Sequence, residues 1–204
     1  RAFEKAGGEV ELMVVRNLTP QDVESSMRNM ADTIGKCQII ALPGGFSSGD
    51  EPDGSGKFIA AVFRNPWVKD AVMELIKKRD GLILGICNGF QALIKLGLVP
   101  YGEITNPGDG SRTNPGLGGP GDGSRIANSG DGSPTLTFNS IGRHVSRMVH
   151  TRISSVLSPW FSNVNVGDIH TIAVSHGEGR FVASDSDIEM MIKNGQIATQ
   201  YVDE

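Results

Sequence analysis

The sequence predicts an α/β fold, a largely parallel sheet flanked by helices, and two observations carry the prediction. Short apolar runs of strand length alternate with longer segments whose apolar residues recur every three or four positions, the order that crossover helices between parallel strands require. Two of those runs end in glycine-rich turns, Pro43-Gly44-Gly45 and Gly85-Ile86-Cys87-Asn88-Gly89, and open α/β sheets carry their sites at the carboxyl ends of strands. At 204 residues the chain fits a single domain over residues 1–204.

The elements follow in order. Residues 9–15 read as a strand. Thr19-Pro20-Gln21-Asp22 then supplies a capping hydroxyl, a proline at the first helical position and an acid in the first turn, and Val23, Met27, Met30 and Ile34 give the helix one apolar face. Residues 37–42 are the next buried strand. Asn65-Pro66 opens a second helix marked by Trp67, Val68, Val72, Leu75 and Ile76. Residues 81–86 are short and apolar, as a strand buried on both faces is, and Phe90, Leu93, Ile94 and Gly97 continue with helical spacing. Further on, residues 135–139 and 145–153 read as strands joined at Ser140-Ile141-Gly142-Arg143, residues 169–174 and 196–202 as strands, and residues 185–193 as a short helix. The segment around Leu157-Ser158-Pro159-Trp160 is open.

Residues 105–133 break this pattern. They hold nine of the 27 glycines, three copies of Gly-Asp-Gly-Ser and two of Thr-Asn-Pro-Gly. A low-complexity insertion of that composition cannot bury enough surface to offset chain entropy, so a flexible surface loop is expected. Its aspartates lack the spacing of known calcium loops, and no metal site is expected. Net charge is −4 without a basic block, which argues against nucleic acid or an anionic membrane as partner. Two cysteines, Cys37 and Cys87, make no disulfide framework, and a cytoplasmic location is expected. Cys37 heads an apolar run and reads as structural.

Cys87 is different. It falls where a strand becomes a helix, with glycines two residues before and two after to relieve crowding at a sharp turn. The helix N-terminus there favours an anion. On the cysteine and its two glycines alone, a buried structural thiol fits as well as a nucleophile.

The wider pattern Gly85-x-Cys87-x-Gly89-x-Gln91 resembles the nucleophile motif of class I glutamine amidotransferases, the triad-type glutaminases. Residues 41–50 (Ala-Leu-Pro-Gly-Gly-Phe-Ser-Ser-Gly-Asp), residues 175–181 (Ser-His-Gly-Glu-Gly-Arg-Phe) and residues 198–203 (Ala-Thr-Gln-Tyr-Val-Asp) are similar to the glutaminase domain of phosphoribosylformylglycinamidine synthase. That resemblance implies a flavodoxin-like α/β fold and a Cys87 thioester that releases ammonia from glutamine. It implies an oxyanion hole from Asn88 and from Gly44, Gly45 or Phe46, and a substrate pocket including Gln91, Ser175, His176, Gly177 and Glu178. No cofactor is expected in this chain; ATP and magnesium would belong to the synthetase region of the same parent polypeptide, which uses the ammonia to amidate formylglycinamide ribonucleotide in purine synthesis.

The proton carrier is less direct. On a strand, His176 and Glu178 share a face, so side by side they would make a base and its orienter. The resemblance assigns them to the glutamine-binding wall instead and puts the family's own His-x-Glu pair in a later motif. It also implies a first strand before Arg1, so the chain is expected to be a fragment and a poor glutaminase alone. A non-catalytic glutamine-binding or docking module, or another α/β hydrolase with a cysteine elbow, are the competing readings.

Overall fold

The computed structural model describes residues 1–45, 56–105 and 134–203. Helices α1 (Ala2–Lys5) and α2 (Pro20–Ile34) come first, followed by strand β1 (Ile39–Leu42), helices α3 (Lys57–Phe63) and α4 (Pro66–Lys78), strand β2 (Leu82–Gly85), and helices α5 (Asn88–Leu96) and α6 (Leu98–Tyr101). After residue 134 come β3 (Thr135–Thr137), β4 (Val145–Ile153), a 3-10 turn at Pro159–Phe161, β5 (Ile169–His176), β6 (Arg180–Val182), α7 (Asp185–Lys193) and β7 (Thr199–Val202). The described residues group into two compact units, Arg1–Ala41 with Ala61–Ile83, and Leu42–Ala60 with Leu84–Glu204.

In the first unit α2 packs on α4. Thr19 accepts from the Asp22 N–H and Pro20 takes the first helical position; Asn65 and Pro66 do the same for α4, with Trp67 N–H as the donor. Both starts follow the capping signals in the sequence. Met27 and Ile34 of α2 and Val68, Val72 and Leu75 of α4 form the buried seam, while Val23 at the opposite end of the expected stripe is exposed. Arg28 stacks over the Trp67 ring at 3.9 Å.

Residues 9–15 do not form a strand. They lie beside α2, held by the Arg16 N–H on Ser26 Oγ at 2.9 Å and by the Thr33 hydroxyl on the Glu11 carboxylate at 3.3 Å. Val10, Leu12 and Val14, an alternating apolar row in this run, are 49%, 85% and 65% exposed. Alternation records which side chains share a face, but a strand also needs a neighbour's backbone, and among the described residues none pairs here.

The α/β class holds, and its parallel pairing is between β1 and β2. The Leu82 N–H donates to the Gln38 carbonyl and the Ile86 N–H to the Leu42 carbonyl, the same offset at both ends. Neither strand is buried on both faces as expected, since Ile39 and Ala41 of β1 are exposed and β2 is half-buried throughout.

In the second unit the described pairings are antiparallel. β4 is the centre of a three-stranded sheet in the order β5-β4-β7, and β3 pairs with β6. The strands expected on either side of residues 140–143 both exist, but they pair with different partners: Thr137 faces Arg180, whereas Val145 faces His176. β5 runs two residues beyond its expected end, through His176. Helix α5 supplies much of the buried apolar surface, with Ala92, Leu93, Ile94 and Leu96 inside. The open segment 157–160 contains the 3-10 turn, capped by Ser158. Residues 106–133, where the flexible loop was expected, lie outside the described residues.

Candidate active site

β1 and β2 end beside one another, and each is followed by a turn expected to carry chemistry. Cys87 follows β2 as the residue before α5, with φ 53° and ψ −112°. Left-handed backbone at a residue with a Cβ is strained, and such strain is concentrated at functional turns. The Cys87 thiol is exposed. The strand-to-helix elbow read from the sequence is therefore present, and the alternative of a buried structural thiol is not what the fold provides.

The glycines around it are required by contact. A Cβ on Gly89 would stand 2.2 Å from the Leu42 carbonyl oxygen, and one on Gly85 2.7 Å from Leu93 Cδ1 and 2.8 Å from the Gly89 carbonyl oxygen. A Cβ on Gly44 would lie 3.0 Å from Cys87 Cβ and 3.8 Å from its sulfur. Strand, loop and helix thus approach as closely as bare backbone permits, and the Gly44 turn borders the thiol. Among the described residues nothing lies within 4 Å of a Cβ placed on Gly45. Phe46 lies outside the described residues.

Asn88 and Gln91, in the first turn of α5, are both buried. The Gln91 amide donates to the Glu178 carboxylate at 3.1 Å and to the Glu178 carbonyl at 3.4 Å. This bond joins two residues that the resemblance places in the pocket, 87 positions apart, and Gln91 is buried rather than turned to solvent.

His176 and Glu178 do not share a strand face. β5 ends at His176, and residues 177–179 bend into β6, with glycines on both sides of Glu178. Glu178 turns to Gln91, while His176 Nδ1 lies 3.0 Å from Asn139 Oδ1; Gly177 and Gly179 keep negative φ, so the bend needs no glycine-only backbone. The base-and-orienter pair is replaced by an arrangement consistent with a pocket wall. Ser175 Oγ lies 3.0 Å from His144 Nε2. Among the described residues no hydrogen bond reaches the Cys87 thiol. Cys37 is partly buried and its thiol donates to the Ile34 carbonyl at 3.5 Å, in keeping with a structural role.

The residue the sequence reading missed is Asn139. Its Nδ2 donates to the carbonyls of His176 at 2.8 Å and Arg143 at 3.0 Å, its Oδ1 accepts from the Gly179 N–H at 3.2 Å, and its backbone N–H donates to the Gly177 carbonyl at 2.9 Å. A lone asparagine next to a turn carries no sequence signal for this role.

Among the described residues no group of three or more histidine, cysteine or acidic side chains is placed to hold a metal, and no helix is long and apolar enough to cross a membrane.

The model of the CobB/CobQ-like glutamine amidotransferase domain matches residues 1–204. The chain belongs to that family. Within the CobB/CobQ-like glutamine amidotransferases it is similar to phosphoribosylformylglycinamidine synthase subunit PurQ of Methanococcus maripaludis, 31% identical over 99% of this chain and 60% of that protein. It is likewise similar to the subunit of the same name from Treponema denticola, 32% identical over 98% of this chain and 64% of that protein. A solved structure of PurLQS from Thermotoga maritima aligns with 82% of this chain and 57% of the solved one at 25% identity and TM-score 0.48. The chain spans about three fifths of the length of these curated relatives.

Proposed function

We propose that the chain is the glutaminase part of a phosphoribosylformylglycinamidine synthase, supplying ammonia to the amidation of formylglycinamide ribonucleotide in purine biosynthesis. The observation that carries the reading is the exposed Cys87 on a strained elbow beside the Gly44 turn, one helical turn from the Gln91–Glu178 bond. The sulfur of Cys87 attacks the carboxamide carbon of glutamine. The N–H of Asn88, with one from Gly44, Gly45 or Phe46, stabilises the oxyanion. As the C–N bond breaks, the nitrogen takes up the proton that the thiol gave up and leaves as ammonia, and water then hydrolyses the glutamyl thioester to glutamate, returning a proton to the sulfur. Gln91, Ser175, His176, Gly177 and Glu178 form the pocket that recognises the rest of glutamine.

The partner is the ammonia-consuming synthetase. The relatives are named as subunits, which supports a partner on a separate chain as well as the expected region of one polypeptide. ATP and magnesium act in that partner. Glutamine binding without efficient turnover is the second reading, favoured by the Gln91–Glu178 bond, which serves recognition rather than proton transfer. A soluble, cytoplasmic location follows from the reaction.

The test is mass spectrometry after exposure to a diazo-ketone analogue of glutamine. Modification of Cys87 but not Cys37, blocked by excess glutamine, is the expected result. Equal labelling of both cysteines, or labelling that glutamine does not block, refutes a glutamine pocket. Ammonia release from glutamine then separates the glutaminase from the binding module.

A further inference from the structure

We propose that Asn139 is a positioning residue of the glutamine site, acting through the Ser175–Gly179 segment and through the proton on the His176 ring. This rests on the glutaminase reading above. The orientation of the Asn139 amide is determined by its partners. Nδ2 faces two carbonyl oxygens, those of His176 and Arg143, and Oδ1 faces the Gly179 N–H. Rotating the amide by half a turn would set oxygen against two oxygens and NH2 against N–H, so only one orientation satisfies all three contacts.

The Oδ1 atom is therefore the acceptor, and His176 Nδ1, 3.0 Å away, must be the donor. A neutral His176 then carries its proton on Nδ1 and leaves Nε2 as an acceptor for a ligand donor, such as an N–H of the substrate. The ring is also seated by absence of bulk, since a Cβ on Gly179 would stand within 2.4 Å of three ring atoms.

The same amide fixes the bend that aims Glu178. The side chain bonds the carbonyl of His176 and the N–H of Gly179, bracketing Glu178 on both sides, and the Asn139 backbone N–H adds a bond to the Gly177 carbonyl. The Glu178 carboxylate then holds Gln91 on α5, the helix that begins one residue after Cys87. Asn139 touches no reacting atom in this scheme. It connects the pocket wall to the helix that carries the nucleophile.

Three variants test this in the full chain: Asn139→Ala, Asn139→Asp and, to assign the ring signals, His176→Gln. Long-range nitrogen–proton NMR of the four histidines reads the tautomer, and glutamine protection of Cys87 against the diazo-ketone analogue reads the pocket. Wild type should show His176 protonated on Nδ1. Asn139→Ala should lose that preference and require about tenfold more glutamine for protection, the effect of losing several hydrogen bonds, while alkylation by iodoacetamide stays unchanged. Asn139→Asp keeps the acceptor and so the Nδ1 proton, but loses both donor bonds and should also weaken protection; it carries the test if the alanine variant fails to fold. His176 protonated on Nε2 in wild type, or wild-type protection in both Asn139 variants, overturns the proposal. Absence of any glutamine protection in wild type refutes the glutaminase reading instead, and the tautomer still decides whether Asn139 holds the ring.

Discussion

Gly89→Ala should destabilise the chain although alanine is the better helix former. Gly89 is the second residue of α5, and a Cβ there would sit 2.2 Å from the Leu42 carbonyl oxygen and 2.7 Å from the Leu42 carbonyl carbon. Both obstacles include backbone, and the Leu42 carbonyl is already held by the Ile86 N–H at 3.0 Å, so no side-chain rotation relieves the contact. Restoring ordinary contact needs a shift of roughly 1 Å between helix and strand, in an interior packed too tightly to absorb it freely. The alanine gains about 1 kcal/mol in helix propensity. Overpacking costs about 1–3 kcal/mol, with the upper end apt when backbone must move. The net loss is then about 2 kcal/mol, which for a chain of this size lowers the melting temperature by roughly 4–8 °C. Thermal unfolding followed by circular dichroism measures it. Gly177→Ala is the control, because a Cβ there meets nothing within 4 Å, and its effect should lie within about 0.5 kcal/mol of zero. A Gly89→Ala chain melting at or above wild type would refute the reasoning.

Other substitutions probe separate links. Thr19→Ala removes the cap of α2 and should cost about 1 kcal/mol in denaturant titration, with Thr19→Ser close to wild type. Cys87→Gly should be more stable than Cys87→Ala by about 1 kcal/mol, because glycine alone relaxes at φ 53°; equal stabilities would show that the elbow holds no strain. Gln91→Glu places a carboxylate where the amide donates to Glu178 at 3.1 Å, and two such groups cannot both ionise. That variant should be destabilised at neutral pH and recover towards wild type as acid supplies a shared proton, so a pH-independent deficit would argue against the contact.

What the sequence disclosed was local. Thr19-Pro20 and Asn65-Pro66 opened helices where they were read to, and residues 185–193 formed α7 at the expected bounds, since caps and periodicity act within a turn or two. Pairing was not legible. β3 lies with β6 rather than with β4, and residues 9–15 pair with nothing among the described residues, because alternation specifies a face and leaves the partner unnamed. At the site, Cys87 was legible since its glycines crowd a turn within seven residues. The strand-face alternative for His176 and Glu178 had a local counter-signal: Gly177 and Gly179 flank Glu178, and paired glycines more often mark a bend than a continuing strand. Asn139 had none, as its partners in the pocket wall lie 37 and 40 residues away and its local bond to Arg143 marks only a turn.

The division between legible and hidden residues follows a physical division within the site. The thiol is positioned by close packing of strand, turn and helix at Gly44, Gly85 and Gly89, so a change there alters the reach of Cys87 towards every electrophile. The pocket wall is positioned by side-chain hydrogen bonds from Asn139 to the Glu178 bend and from Glu178 to Gln91, none of which touches the sulfur. Changes to those residues should alter the response to glutamine-shaped reagents and leave a small alkylating agent unaffected. A chain in which both groups of variants shift both reagents by the same factor would have a single cooperative site, and the separation of nucleophile from recognition argued here would be wrong.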